Sequence, residues 1–77
     1  MKDSSRYLKI VEWSEDDQTF VGRCPDIIGP CCHGPDEADV YRELCRIVDD
    51  WVEIMQSDGQ SLPVPTKFES RIGAMVH

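Results

Sequence analysis

Cys31, Cys32 and His33 are the densest run of reactive side chains in this chain. A thiol beside an imidazole can act as a nucleophile with its base, and thiols with a histidine can ligate zinc. Neither chemistry has its usual frame here. Zinc sites space their cysteines by about two to four residues and add a second pair. These cysteines are adjacent, and neighbouring side chains on a strand point to opposite sides. Cys24 and Cys45 could complete a set only by converging on them. A Cys31–His33 nucleophile pair has no evident group to orient the imidazole. A vicinal-thiol redox switch is a further reading, and His33 also reads as a solvent-facing strand residue.

Carboxylates are the second candidate set. Metal-dependent nucleases need several acids converging on cations, and Glu12, Asp16, Asp17 and Asp26 are available. Asp16 and Asp17 fall in a polar turn, where aspartate is ordinary. The sequence holds no Gly-rich phosphate loop, Ser–His–Asp set or Walker motif. These residues yield no catalytic residue, metal site or cofactor, and the expectation is a binding module rather than an enzyme.

Composition narrows the partners. The chain has 77 residues and a formal net charge of −7, with a pI near 4.5. That length makes one domain with a modest core, for which oligomerisation is a common remedy. Such a field repels phosphate backbones and attracts cationic proteins, so direct nucleic-acid binding is not expected. Glu15, Asp16, Asp17 and Asp26 crowd the loops of the sheet, and Asp49, Asp50 and Glu53 line the polar helix face. They read either as solvated surface or as a complement to a basic partner. The four cysteines follow no signal peptide, so reduced thiols and a cytoplasmic location are expected. No apolar run approaches the ~20 residues that span a bilayer.

The elements that must position these residues follow from pattern. Arg6 to Trp13 reads as a strand, Ser14 to Gln18 as a turn and Thr19 to Cys24 as a returning strand. Pro25-Asp26 starts a turn that Gly29-Pro30 continues, and Cys31 to His33 forms a short third strand ending at Gly34-Pro35. A helix starts at Asp36, with Asp39 completing an imperfect capping box. Tyr41, Leu44, Val48, Trp51 and Met55 form its apolar stripe, widened by Cys45 and Val52. Gly59 is the C-cap glycine, and Pro63 and Pro65 keep the following chain extended. A last strand is placed at Phe68 to Ile72. The fold class is α+β: a three-stranded antiparallel meander, one long amphipathic helix on one face, and a final strand (β-β-β-α-β). The expected core is Val11, Phe20, Leu44, Val48 and Trp51. Strand 1 is apolar on both faces, Leu8 and Ile10 on one and Tyr7, Val11 and Trp13 on the other. Because one helix covers one face, the other is either covered by the last strand and its linker or is an interface.

An ordered set of motifs carries a resemblance. Ile10-Val11-Glu12-Trp13 runs into the charged turn Ser14-Glu15-Asp16-Asp17, and Phe20 opens the next strand. Pro25, Asp26, Ile27 and Gly29 then make a turn, followed by Gly34. Asp36 stands as a helix cap and Trp51 in the helix. Asp58, Gly59, Leu62, Pro63 and Pro65 close the set. Over residues 6–66 the chain resembles the HicB-like antitoxin family. It departs from that pattern at Pro30, which precedes Cys31 where the family has cysteine directly after the glycine, and at Asp39-Val40, in place of Glu-Ala.

The resemblance implies a partial ribonuclease-H-like sheet in a single domain over residues 1–77. It also implies a homodimer and an antitoxin that masks a small basic HicA-like mRNA-cleaving toxin. Family antitoxins carry a further DNA-binding segment; no separate DNA-binding domain is expected in this chain, and operator binding is not carried over. The expected partner surface is Asp16, Asp17, Asp26 and the strand Cys31, Cys32, His33. The rival readings are a stand-alone structural homodimer, or a metal-dependent nuclease or thiol-enzyme remnant.

Overall fold

The computed structural model describes residues 3–65. Its first hairpin forms where β-branched and aromatic residues concentrate. β1 (Ile10–Ser14) pairs antiparallel with β2 (Thr19–Cys24), setting Val11 opposite Gly22 and Trp13 opposite Phe20. The connecting loop closes on its own polar groups. The Asp17 N–H donates to Ser14 Oγ at 3.3 Å, and Gln18 Nε2 donates to the Glu15 carbonyl at 2.7 Å. Trp13 and Phe20 meet edge to face, with centroids 5.1 Å apart.

The first strand is shorter than its sequence suggests. It starts at Ile10 and not at the expected Arg6, which instead ends a 3-10 turn over Asp3–Arg6. The Lys9 ammonium fastens it by donating to the Ser4 carbonyl at 2.7 Å. Tyr7 then enters the core, where it is buried.

β3 (Ile28–Gly34) is longer than the expected Cys31–His33. It takes in Gly29 and Pro30, which read as turn. The pairs Gly22–Cys32, Arg23–Pro30 and Cys24–Ile28 leave Cys31 and Gly29 as extra residues on β3. Each is a β-bulge, and bulges favour sheet edges. Among the described residues the strand order is β1-β2-β3, which leaves β3 an edge strand, where proline's missing N–H is tolerated.

α1 (Glu37–Ser57) begins and ends on local signals. Asp36 caps it, accepting from the Ala38 N–H at 3.2 Å. Asp39 does not close a capping box; its carboxylate pairs with Arg42. At the other end Gly59 takes φ +73°. Its N–H donates to the Gln56 carbonyl at 3.1 Å and that of Gln60 to Met55 at 2.9 Å, the double bond of a Schellman motif.

The core lies between α1 and the sheet: Tyr7, Cys24, Leu44, Val48 and Val52, with Val11, Ile27, Ile28 and Leu62 packed against it. Of the expected core, Leu44 and Val48 are fully buried, and Val11 and Phe20 are half-buried. Trp51 is not a core residue. It is 41% exposed, and Tyr41, from the same expected stripe, is 48% exposed. The buried helix residues are Val40, Leu44, Val48 and Val52, spaced by fours. Each such step winds the buried seam about 40° around the helix. Tyr41 near the start and Trp51 near the end therefore stand about a quarter turn off it, on opposite flanks.

After the helix the chain returns over Tyr7, whose hydroxyl donates to the Pro63 carbonyl at 2.6 Å. The expected strand Phe68 to Ile72 lies outside the described residues. Among the described residues no helix is long and apolar enough to cross a membrane.

Candidate functional site

Side chains alternate across the pleat, which sorts the sheet into two faces. A Cβ on Gly22 would point at Val40 and Leu44, so Gly22 faces the helix. With it go Val11, Trp13, Phe20 and Cys24. The opposite face carries Ile10 and Glu12 from β1 and Thr19, Val21 and Arg23 from β2. Arg23 Nε and Glu12 Oε1 pair across it at 3.2 Å.

Along the β2–β3 side runs an open groove of about 730 Å³, lined by Asp17, Thr19, Val21, Pro30, Cys31, Cys32 and His33. Four of the expected partner residues therefore come together: Asp17, Cys31, Cys32 and His33. Asp16 is exposed in the same hairpin loop. Asp26 does not belong with them. It sits in the β2–β3 turn, beyond the far end of the six-residue β2, about 20 Å along the strand from the hairpin loop. The sequence cannot show this, because both aspartates simply flank strands. Asp26 is half-buried. Burial first, and then the Asp26 charge, raise the Tyr7 hydroxyl above its ordinary pKa.

The same separation applies to the carboxylates of the nuclease reading. Asp26 is apart from Asp16 and Asp17, while Glu12 pairs with Arg23. Among the described residues no three His, Cys, Asp or Glu side chains form a group that could hold a metal ion. The polar helix face is partly self-neutralised. Arg46 pairs with both Glu43 and Asp50, and Asp49 accepts from the Ser4 hydroxyl.

The cysteines depart from the sequence reading. Adjacent residues of a regular strand face opposite ways, but with the bulge at Cys31 both cysteines pack against the core and also line the groove. Cys31 Sγ donates to the Gly22 carbonyl at 3.8 Å and Cys32 Sγ to the Val40 carbonyl at 3.6 Å. Burial, and next the neighbouring Cys32, push the Cys31 thiol up to about 11. Cys24 is fully buried, as a small core residue should be, and burial raises its thiol too. All four cysteines are free.

The glycines of the motif turn divide by role. A Cβ on Gly29 would meet nothing within 4 Å, whereas one on Gly34 would lie 3.3 Å from Val40 Cγ2. Gly22, which the motif reading passes over, is the tighter case. Its sequence signal is a glycine inside a strand, which often marks a close approach of two elements.

No protein-family model, curated protein or solved structure matches this chain.

Proposed function

We propose that the chain is a HicB-like antitoxin, or a binding module derived from one, that neutralises a small basic mRNA-cleaving toxin by covering it. The groove carries this reading. Asp17 of the acidic hairpin loop lines one end, with Asp16 exposed beside it in the same loop; Val21 and Pro30 line it further along, and β3, an edge strand among the described residues, borders it. An acidic lip draws in a basic surface and sets its orientation. An edge strand offers backbone groups to an incoming strand, and the bulges confine regular pairing to the stretch near Cys32–Gly34. A toxin held there would have its RNA-binding surface masked. The reading assigns no catalytic residue and no cofactor. It places the protein in the cytoplasm, where its thiols stay reduced.

The test is to isolate a tagged copy from its native host. Support would be an equimolar small basic protein whose RNA cleavage stops when the chain is added back. Return of the chain alone, as a stable dimer, would discard the toxin and leave a structural homodimer as the working description.

A further inference from the structure

We infer that Cys31 and Cys32 form a vicinal dithiol that closes reversibly to a disulfide by exchange with a low-molecular-weight disulfide. Three observations carry this, whichever partner occupies the groove. The bulge at Cys31 sets both cysteines against one core cluster and along one groove, where a regular strand would hold them on opposite faces. Both cysteines line the open groove and are partly exposed, so a small reagent can reach them, whereas Cys24 is sealed in the core. Cys31 is also the extra residue of the bulge, so it can shift without breaking a ladder pair.

Geometry makes this bond a switch and not a staple. Adjacent Cα atoms are about 3.8 Å apart, short of the roughly 4.4–6.8 Å that unstrained disulfides span. A bond closed there is strained, and strained disulfides are readily reduced. Closure also draws the sulfurs to about 2.05 Å. It removes both S–H donors as well, so Cys31 no longer donates to the Gly22 carbonyl nor Cys32 to that of Val40. The state of the pair is thereby tied to the packing of β3 under the helix start.

The exchange balances. One cysteine thiolate attacks a reagent sulfur and expels half of the reagent as a thiol. The second thiolate attacks the mixed disulfide at the protein sulfur, forms the Cys31–Cys32 bond and expels the other half. The chain loses two hydrogens and two electrons, and the reagent gains both as two thiols.

The experiment uses the full chain carrying Cys24→Ala and Cys45→Ala, treated with oxidised glutathione and weighed intact. The expected product has lost the mass of two hydrogens, carries no glutathione and returns to the starting mass under a mild thiol reductant. Adding Cys32→Ser should instead trap a glutathione adduct on Cys31. Should the double variant fail to fold, the unsubstituted chain is oxidised, digested and sequenced by mass for a Cys31–Cys32 link. A stable adduct on the unblocked pair, a covalent dimer or two persistently free thiols would each overturn the assignment.

Discussion

A methyl group placed on Gly22 would lie 2.8 Å from the Cys32 sulfur and 3.2 Å from Val40 Cγ1. The helix start and β3 therefore meet over a residue with no side chain. The bulge that carries Cys31 adjoins this contact, so helix packing and groove shape share one point of support.

Gly22→Ala should destabilise the domain by about 1–3 kcal/mol, the usual cost of overpacking a filled core. Gly29→Ala is the control, since a Cβ there meets nothing within 4 Å and its φ is not positive. Thermal denaturation of both variants decides the matter. Equal midpoints would mean that the helix does not rest on Gly22.

Leu44 and Trp51 should separate just as clearly. Leu44 is fully buried and Trp51 is 41% exposed. Leu44→Ala should cost about 2–5 kcal/mol, and Trp51→Ala about 1 kcal/mol or less. Urea titration of each variant gives the comparison. A loss for Trp51→Ala matching that for Leu44→Ala would return the tryptophan to the core.

This pair also shows what the sequence makes legible. The bounds of β2, the Asp36 cap and the Gly59 stop are written in local chemistry, and the structure places them as read. The helix stripe is different. Spacings of three and four admit several seams on one helix, and only the angle at which it crosses the sheet selects Val52 over Trp51. Gly29-Pro30 carries every local mark of a turn. It becomes strand because β2 lies alongside, and two bulges absorb the mismatch in register. Within the site, Cys31, Cys32, His33 and Asp17 are found by type and spacing. The misplacement of Asp26 arises because loops at opposite ends of a strand look alike in one dimension.

Alkali should loosen the fold through its thiols. The folded state holds the Cys31 proton more tightly than the unfolded chain does, raising the value from 9.0 to about 11. A raised folded value contributes stability that is whole below pH 9 and is lost as pH climbs toward about 11. Cys24 shifts in the same direction through burial. Urea midpoints measured across that window should fall, and Cys31→Ser should fall less steeply. A flat profile in the unsubstituted chain would mean that the thiols are solvated.

Gly59→Ala tests the helix stop. At φ +73° a Cβ crowds the backbone, at a cost of about 1–2 kcal/mol. Gly59→Asn should recover part of that loss, because asparagine tolerates the left-handed region better than alanine. Thermal midpoints in the order glycine, asparagine, alanine are the expected result. An alanine variant as stable as the parent would mean that the chain leaves the helix by another route.

The acidic lip should act on the rate of encounter more than on the strength of the final grip. Asp17 lines one end of the groove and Asp16 is exposed beside it in the hairpin loop, while Glu53 is an exposed acid on the helix. For a basic partner recovered with the chain, Asp16→Asn with Asp17→Asn should slow association by about tenfold or more at low salt. The dissociation rate should change far less, since rim charges steer approach. Glu53→Lys makes a similar change in net charge at a site outside the groove. Surface plasmon resonance over a salt series separates the two. If Glu53→Lys slowed association as much as the hairpin pair, net charge alone would explain the attraction and the groove would lose its claim to the partner.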